Sequence, residues 1–454
     1  MKLYRTIAKE GIFHREEILT PGDEKSSRER GLINIYDDVT YQQLLGIGGA
    51  FTESSAYNYS LLTDEQKKEF MEAHFGADGL AYNFGRTHIG SCDFSLDIYA
   101  HMEEGDTGLS TFSLERDRKY IIPFLKDAQK YAGEPIMLFA SPWSPPGWMK
   151  DNGSALQGGC VKEEYKALWA ACYCRYILEM EKEGIEIFAI SVQNEPKAIQ
   201  TWESCSYTAQ QEAEFIEYHL APALDKYGLS HIKIIIWDHN KERVYDRARD
   251  TLRSPAVNER VWAVGHHWYS GDHFEGLRLV HQQLGKTLIS SEICSVIDED
   301  VYEAAERYGI ELCEDFNNYT AAFCDWNMLL DENGGPYHNR NKPPMKTADG
   351  RIFENKAKGC YAPVLYNTQT KQLEYTPIYH YIKHFSRYIR RGAVRVATTN
   401  HDRRMASVAF RNPDGSLVLV VVNPTGEKLP AVIRLGDTCT GASMEPHSII
   451  TVVI

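Results

Sequence analysis

Long apolar runs are missing from this chain. No stretch approaches the ~18 consecutive apolar residues of a membrane-spanning helix, so no transmembrane segment is expected. The opening MKLYRTIAKEGIFHREE lacks the apolar stretch of a signal peptide, which leads to an expectation of a cytoplasmic protein. Cysteine is sparse, at ten in 454 residues, and no Cys-x-x-Cys pair occurs. Cys172 and Cys174 sit two apart on a predicted helix, where such positions point different ways. Neither a disulfide framework nor a zinc ribbon fits, and free or buried thiols in a reducing compartment do. Basic residues are in the minority: 49 Lys and Arg against 63 Asp and Glu give a net charge of −14. That surface repels nucleic acid and anionic membranes and suits a neutral partner. No block of like charge is long enough to form a tail. The glycines of GIGGAF lack the G-x-G-x-x-G order of a phosphate cradle. His266, His267 and His273 have a spacing that matches no metal site. No cofactor and no metal are therefore expected.

What is present is ordinary globular composition, 43% hydrophobic and 25% charged. Eight short apolar runs alternate with amphipathic stretches between about Leu45 and Tyr388. They end at Glu53, Gly90, Trp143, Pro196, Asn240, Tyr269, Ser295 and Leu330. Several are apolar throughout, as in Ile234-Ile235-Ile236, the pattern of a parallel strand buried on both faces. Thr63 with Gln66 and Thr208 with Gln211 read as capping boxes, and Gly76 and Gly228 as helix ends. Eight βα units argue for an α/β fold closed into a (β/α)8 TIM barrel. From Arg391 the pattern changes to short β runs, RVATT, ASVAF, SLVLVVVN, AVIRL and SIITVVI, with Asn412-Pro413-Asp414-Gly415 as a turn. This reads as an appended antiparallel β-sandwich, to which GLINIYDD adds a strand. The expected division is 1–44 as a segment contributing to the sandwich, 45–390 as the catalytic barrel, and 391–454 as the sandwich.

In such a barrel the chemistry lies at the C-terminal ends of the strands. Arg86, Thr87, His88 and Asp93 end the second run, Trp143 the third, and Asn194-Glu195 the fourth. His266-His267-Trp268-Tyr269 end the sixth, Glu292 the seventh, and Asp325-Trp326-Asn327 the eighth. Three βα units separate Glu195 from Glu292 at roughly 32 residues each, against the ~30 that a βαβ step needs. Runs four and seven face each other across a small barrel, so both carboxylates point into one cleft. Two carboxyl groups ~5–5.5 Å apart are what a retaining glycosidase uses. We assign Glu195 as acid/base and Glu292 as nucleophile, although position alone leaves the two roles interchangeable. Arg86 is the cation that would keep one of them ionised. Asn194 suits a sugar 2-hydroxyl, and Trp143 and Trp326 suit stacking on a pyranose face. His267 reads as a histidine that supports the carboxylates rather than as the base.

The residues also resemble a known family. GIGGAFTESSA, YNFGRTHIGSCDFS, ASPWSPPGWMK, SVQNEP, GHHWY, SSEICS, DWNMLLDENGGPYHNRN and YHYIKHFSRYIRRG resemble glycoside hydrolase family 30, in its glucosylceramidase branch. The resemblance implies a barrel with a sandwich joining both chain ends. It implies Glu195 of NEP as acid/base and Glu292 of SSE as nucleophile. It implies Asp93, Trp143, Trp326 and Asn341 as the set that holds glucose, with Arg86 and Asn194 beside the carboxylates and His267 and Tyr269 of GHHWY at the substrate. The implied activity is exo-acting hydrolysis of a neutral β-linked glucoside by double displacement. β-Xylosidase, β-fucosidase and β-1,6-glucanase are the alternatives within the family. Outside it stand a catalytically inactive carbohydrate-binding barrel and a metal-dependent hydrolase. Unlike lysosomal and secreted members, this chain shows no secretion signal and no cysteine-bearing N-terminal extension. Short imported β-glucosides are therefore expected ahead of ceramide glycolipids.

Overall fold

The computed structural model describes residues 1–23, 31–339, 345–346, 352–355 and 357–454. Eight parallel strands close into a barrel: β1 (Gly46–Ala50), β2 (Phe84–Ile89), β3 (Met137–Pro142), β4 (Ala189–Ser191), β5 (Lys233–Asn240), β6 (Val261–His267), β7 (Thr287–Glu292) and β8 (Thr320–Asn327). Each pairs with the next, and β8 returns to β1. The barrel interior is filled by large and small side chains in alternation, Phe84, Phe139, Ile235 and Ile289 against Ala189, Ala263 and Ala322. The apolar outer faces of the strands pack on the surrounding helices, which is why the strands carry no polar alternation.

The glycine-rich β1 has a steric cause. A Cβ on Gly48 would lie 1.5 Å from the backbone oxygen of Phe84, so only glycine lets β1 approach β2 this closely. Both capping boxes form, Thr63 with Gln66 and Thr208 with Gln211. Several strands end two to five residues before the sequence reading placed them, β1 at Ala50 and β7 at Glu292 among them. β4 keeps only three residues, because beyond Ser191 the backbone leaves the ladder to project Asn194 and Glu195 over the barrel mouth. β8 ends at Asn327. The next residues, Leu329–Asp331, join Val364–Asn367 and Gln372–Tyr375 in a separate small sheet that the sequence reading did not anticipate.

Ten strands form a second, continuous ladder from both ends of the chain. Ser448–Val453 pairs with Lys2–Ile7 on one side and Leu417–Asn423 on the other. Leu32–Gln43 pairs antiparallel with Val394–Asn400 and parallel with Leu429–Leu435. The Asn412–Gly415 turn connects Ala406–Arg411 to Leu417–Asn423, with Gly415 at φ 88° and its N–H donating to the Asn412 carbonyl. A separate apolar core lies beneath these strands, around Leu3, Ile33, Val421, Ile433 and Ile450. The ladder is joined to the barrel through buried polar contacts. The His384 ring, on the helix Pro377–Ser386, meets the hydroxyls of Thr6 and Thr451, each at 2.8 Å.

Candidate active site

Glu292 is the last residue of β7, and Arg86 stands on β2. Arg86 is fully buried and donates to five partners: Glu292 Oε2 at 2.7 Å, Asp238 Oδ2 and Asn194 Oδ1 at 2.8 Å, Ser141 Oγ at 3.1 Å and the Ser291 carbonyl at 3.3 Å. The second oxygen of Glu292 accepts from the Tyr269 hydroxyl at 2.9 Å. Asp238, at the end of β5, is the hub beneath them. It also accepts from Ser191 and Ser291, each at 2.6 Å, and from His267 Nε2 at 3.1 Å. So many donors overcome the cost of burial and hold the Asp238 carboxyl well below the usual range.

Glu195 reaches the same point from β4. Its Oε1 is 3.2 Å from His267 Nδ1 and 3.5 Å from His239 Nδ1. His267 Nδ1 is also 3.8 Å from Glu292 Oε1, so the two glutamates face one another across a single imidazole. Three backbones here adopt the left-handed region: Glu195 at φ 47°, Trp237 at 69° and Asp238 at 46°. The Glu195 N–H donates to the Asp238 carbonyl at 2.9 Å, which clamps the two turns together. Strain of this kind costs ~1–3 kcal/mol per residue and persists where it aims a functional group.

The electrostatics are unbalanced. The carboxyls of Asp93, Glu195, Asp238 and Glu292 gather here, and Arg86 pairs with two of them, Asp238 and Glu292. Burial would strip His267 of its proton, but Glu292, Asp238 and Glu195 around it prevail, and its pKa is pushed up to about 9. Burial raises Glu195, yet His239 and His267 more than offset it and hold the carboxyl below the ordinary range. Glu292 goes the other way: burial pushes it up, and His267 and Arg86 only partly oppose it. Asp93 is pushed far up by burial and by the neighbouring glutamates. Its buried Oδ1 has no hydrogen-bond partner and is available to a ligand hydroxyl.

These groups open on a cleft of about 340 Å³, walled by Phe94, Trp202, Tyr337 and Cys360 among others. A volume of this order suits a small organic ligand such as a sugar ring. Glu195, Glu292, Asp93, Asn194, Trp143, Tyr269 and Trp326 all line it. Arg86 and His267 lie immediately beneath. Asn341 falls outside the described residues. One expectation is corrected. Trp143 and Trp326 do not offer open faces to a sugar, because they stack on each other at 5.1 Å and are 1% and 2% exposed. The Arg86 guanidinium lies over both rings, at 4.6 and 5.5 Å. Their role in the free protein is to cover and fix that cation. Asn194 likewise spends its carbonyl oxygen on Arg86. Asp238 and His239 were passed over in the sequence, although WDHN closes an all-apolar strand and its position was the available signal.

Two family descriptions cover nearly all of the chain: the glycosyl hydrolase family 30 TIM-barrel domain over residues 44–389 and the family 30 β-sandwich domain over residues 392–452. The chain belongs to glycoside hydrolase family 30. SrfJ from Salmonella typhimurium superimposes with a TM-score of 0.93 at 31% identity, covering 100% of this chain and 99% of that one. The lysosomal acid glucosylceramidase of Mus musculus is 29% identical over 89% of this chain and 80% of its own. The endo-1,6-β-D-glucanase BGN16.3 of Trichoderma harzianum is 25% identical over 86% and 79%. As a family 30 member the protein is a glycoside hydrolase, and hydrolysis with retention of configuration is general to the family.

Proposed function

We propose that this family 30 enzyme is an exo-acting β-glucosidase, with Glu195 as acid/base and Glu292 as nucleophile. The observation that carries the reading is the pair of carboxylates on β4 and β7 meeting across His267, one of them fixed by Arg86 and Tyr269. Glu292, held by two donors, attacks the anomeric carbon. Glu195 protonates the departing glycosidic oxygen as that bond breaks, giving a glycosyl-enzyme ester and a free aglycone alcohol. The ionised Glu195 then takes a proton from water, whose oxygen attacks the same carbon and releases Glu292. Burial raises the Glu292 carboxyl and the two histidines lower that of Glu195, and a bound glycoside acts on both. Positive charge growing on the sugar ring favours an anionic Glu292, and negative charge on the leaving oxygen favours a protonated Glu195. His267 Nδ1 lies between the two carboxylates, where it can pass that proton.

Glucose as the sugar is supported by the likeness to glucosylceramidases and by Asp93, which has an unpartnered oxygen in the cleft. Ten free cysteines support work in a reducing compartment such as the cytoplasm, on short neutral β-glucosides. The test is a panel of aryl β-glucoside, β-xyloside, β-fucoside and β-galactoside, with the released anomer followed by NMR. Glucoside turnover with β-glucose formed first is expected, with loss in Glu292→Ala and recovery as α-glucosyl azide when azide is added, because azide attacks from the face that Glu292 occupied. No turnover of any aryl β-glycoside, or α-glucose as first product, overturns the reading. A second reading, endo-acting β-1,6-glucanase, is favoured by the likeness to the Trichoderma enzyme. It predicts oligosaccharides from a β-1,6-glucan and little from the aryl glucoside.

A further inference from the structure

We propose that the cleft contains a transition-metal site formed by Glu195, His239 and His267, and that a borderline divalent cation such as Zn2+, Co2+ or Cu2+ bound there shuts the enzyme off. Each residue offers one ligand atom, and all three atoms lie within 4.8 Å of one another. Glu195 Oε1 is 3.2 Å from His267 Nδ1 and 3.5 Å from His239 Nδ1. Zinc bonds of ~2.0–2.2 Å in a tetrahedron place neighbouring ligand atoms roughly 3.3–3.5 Å apart, which matches these two gaps, and the gap between the two histidines, within 4.8 Å, closes by a turn of one ring.

A second observation points to a ligand. His239 is 7% exposed, and its buried Nδ1 has only the long 3.5 Å contact to Glu195 Oε1, without hydrogen-bond geometry. The nitrogen is held out of water and aimed at the carboxylate, and an ion between them gives both atoms a partner at bonding distance. A third lies behind the site. His267 has its other ring nitrogen on Asp238 Oδ1 at 3.1 Å, the carboxylate–histidine arrangement that orients metal ligands. The local charge agrees, since Arg86 spends its ion pairs on Asp238 and Glu292 and leaves Glu195 to the two histidines. Two imidazoles and one carboxylate select first-row transition cations over Mg2+ or Ca2+, which need six or more oxygen donors. The fourth position faces the cleft and takes water or a sugar hydroxyl.

An ion here occupies the Glu195 oxygen between the histidines, and its charge keeps the proton off the other oxygen. The leaving group then cannot be protonated. This inhibition rests on the role proposed for Glu195, whereas binding does not.

The experiment titrates the chelator-treated protein with Co2+. One equivalent per chain is expected to give the visible bands of four-coordinate cobalt, displaced by Zn2+. Aryl β-glucoside hydrolysis should fall as that site fills, competitively with substrate, and return on adding EDTA. His239→Gln should weaken Co2+ binding by about tenfold or more, with inhibition judged against that variant's own metal-free rate. Absence of a one-equivalent cobalt spectrum in the unmutated protein overturns the proposal. So does a thiolate-to-cobalt band lost in Cys294→Ser, which would put the ion on the neighbouring Cys294 and Cys360 thiols, 3.1 Å apart. A cobalt spectrum sensitive to His239, in a protein that hydrolyses no aryl glycoside, supports the site and sinks the functional reading instead.

Discussion

Replacing Arg86 by lysine tests whether the catalytic carboxylates are organised by the guanidinium fork or merely by a positive charge. The arginine serves Glu292, Asp238, Asn194, Ser141 and the Ser291 carbonyl from one planar group. A lysine ammonium is a single point with three donors and cannot reach Glu292, Asp238 and Asn194 together. At least two hydrogen bonds to charged or buried partners go unmade, at ~1.5–3 kcal/mol for each charged one. The flat contact with Trp143 and Trp326 is lost as well. We expect the barrel to lose about 3–5 kcal/mol, the range for a broken buried ion pair. Arg86→Met, which also removes the charge, should cost more than the lysine. Because Glu292 is no longer fixed, kcat should fall ~10²-fold with KM little changed. Urea unfolding followed by tryptophan fluorescence reads the first effect, since the stacked pair reports on this spot. Steady-state hydrolysis of an aryl glucoside reads the second. A lysine variant within about 1 kcal/mol of the parent, the scale of a surface pair, and with unchanged kcat, refutes the reasoning.

Asp325 gives a pH test. Burial pushes its carboxyl up to about 8, while the Tyr308 hydroxyl donates to it at 2.8 Å. The folded pKa is above the unfolded value, so the stabilisation is complete below pH ~4 and is lost as pH rises through 8, by up to ~1.4 kcal/mol per unit. Denaturation midpoints at pH 5 and 7.5 should converge in Asp325→Asn relative to the parent; an unchanged gap between them counts against this assignment. Tyr269→Phe removes the hydroxyl that Glu292 accepts at 2.9 Å from an otherwise half-exposed ring. The expected result is a fall in kcat of about tenfold, as one charged hydrogen bond of ~1.5 kcal/mol is lost, with a midpoint close to the parent's. A large stability loss with normal kcat would assign the hydroxyl to the fold instead. Gly48→Ala would bring a methyl to 1.5 Å from the Phe84 carbonyl. It should abolish soluble expression or cost more than ~4 kcal/mol, and a variant with parental stability would show that β1 and β2 can separate.

The barrel could be read from the sequence because burial on both faces leaves a strong mark. Ile234-Ile235-Ile236 has no polar alternation, and the ends of such runs are where a charge is costly unless used. That logic places Glu195 and Glu292 on facing strands. It stopped short where function depends on what a side chain touches. Trp143 and Trp326 stand at strand ends near the cleft, as read, but residue type does not say whether an indole face meets a sugar or another indole. Only the register of β3 and β8 around the barrel stacks them at 5.1 Å over Arg86. Asp238 is the converse case. It stands near the end of an apolar strand like the two glutamates. Its importance comes from Ser141, Ser191, Ser291, Arg86 and His267, contributed by β3, β4, β7, β2 and β6. Each of those residues is unremarkable alone. Closure of the barrel brings five donors to one carboxylate, and that convergence is a property of the ring of strands rather than of any local stretch of chain. The left-handed turn at Glu195 has the same origin, because its N–H is held by the Asp238 carbonyl on the adjacent strand. Chemistry-bearing residue types are therefore legible one strand at a time, while the polar scaffold that aims them becomes legible only when strand two meets strand seven.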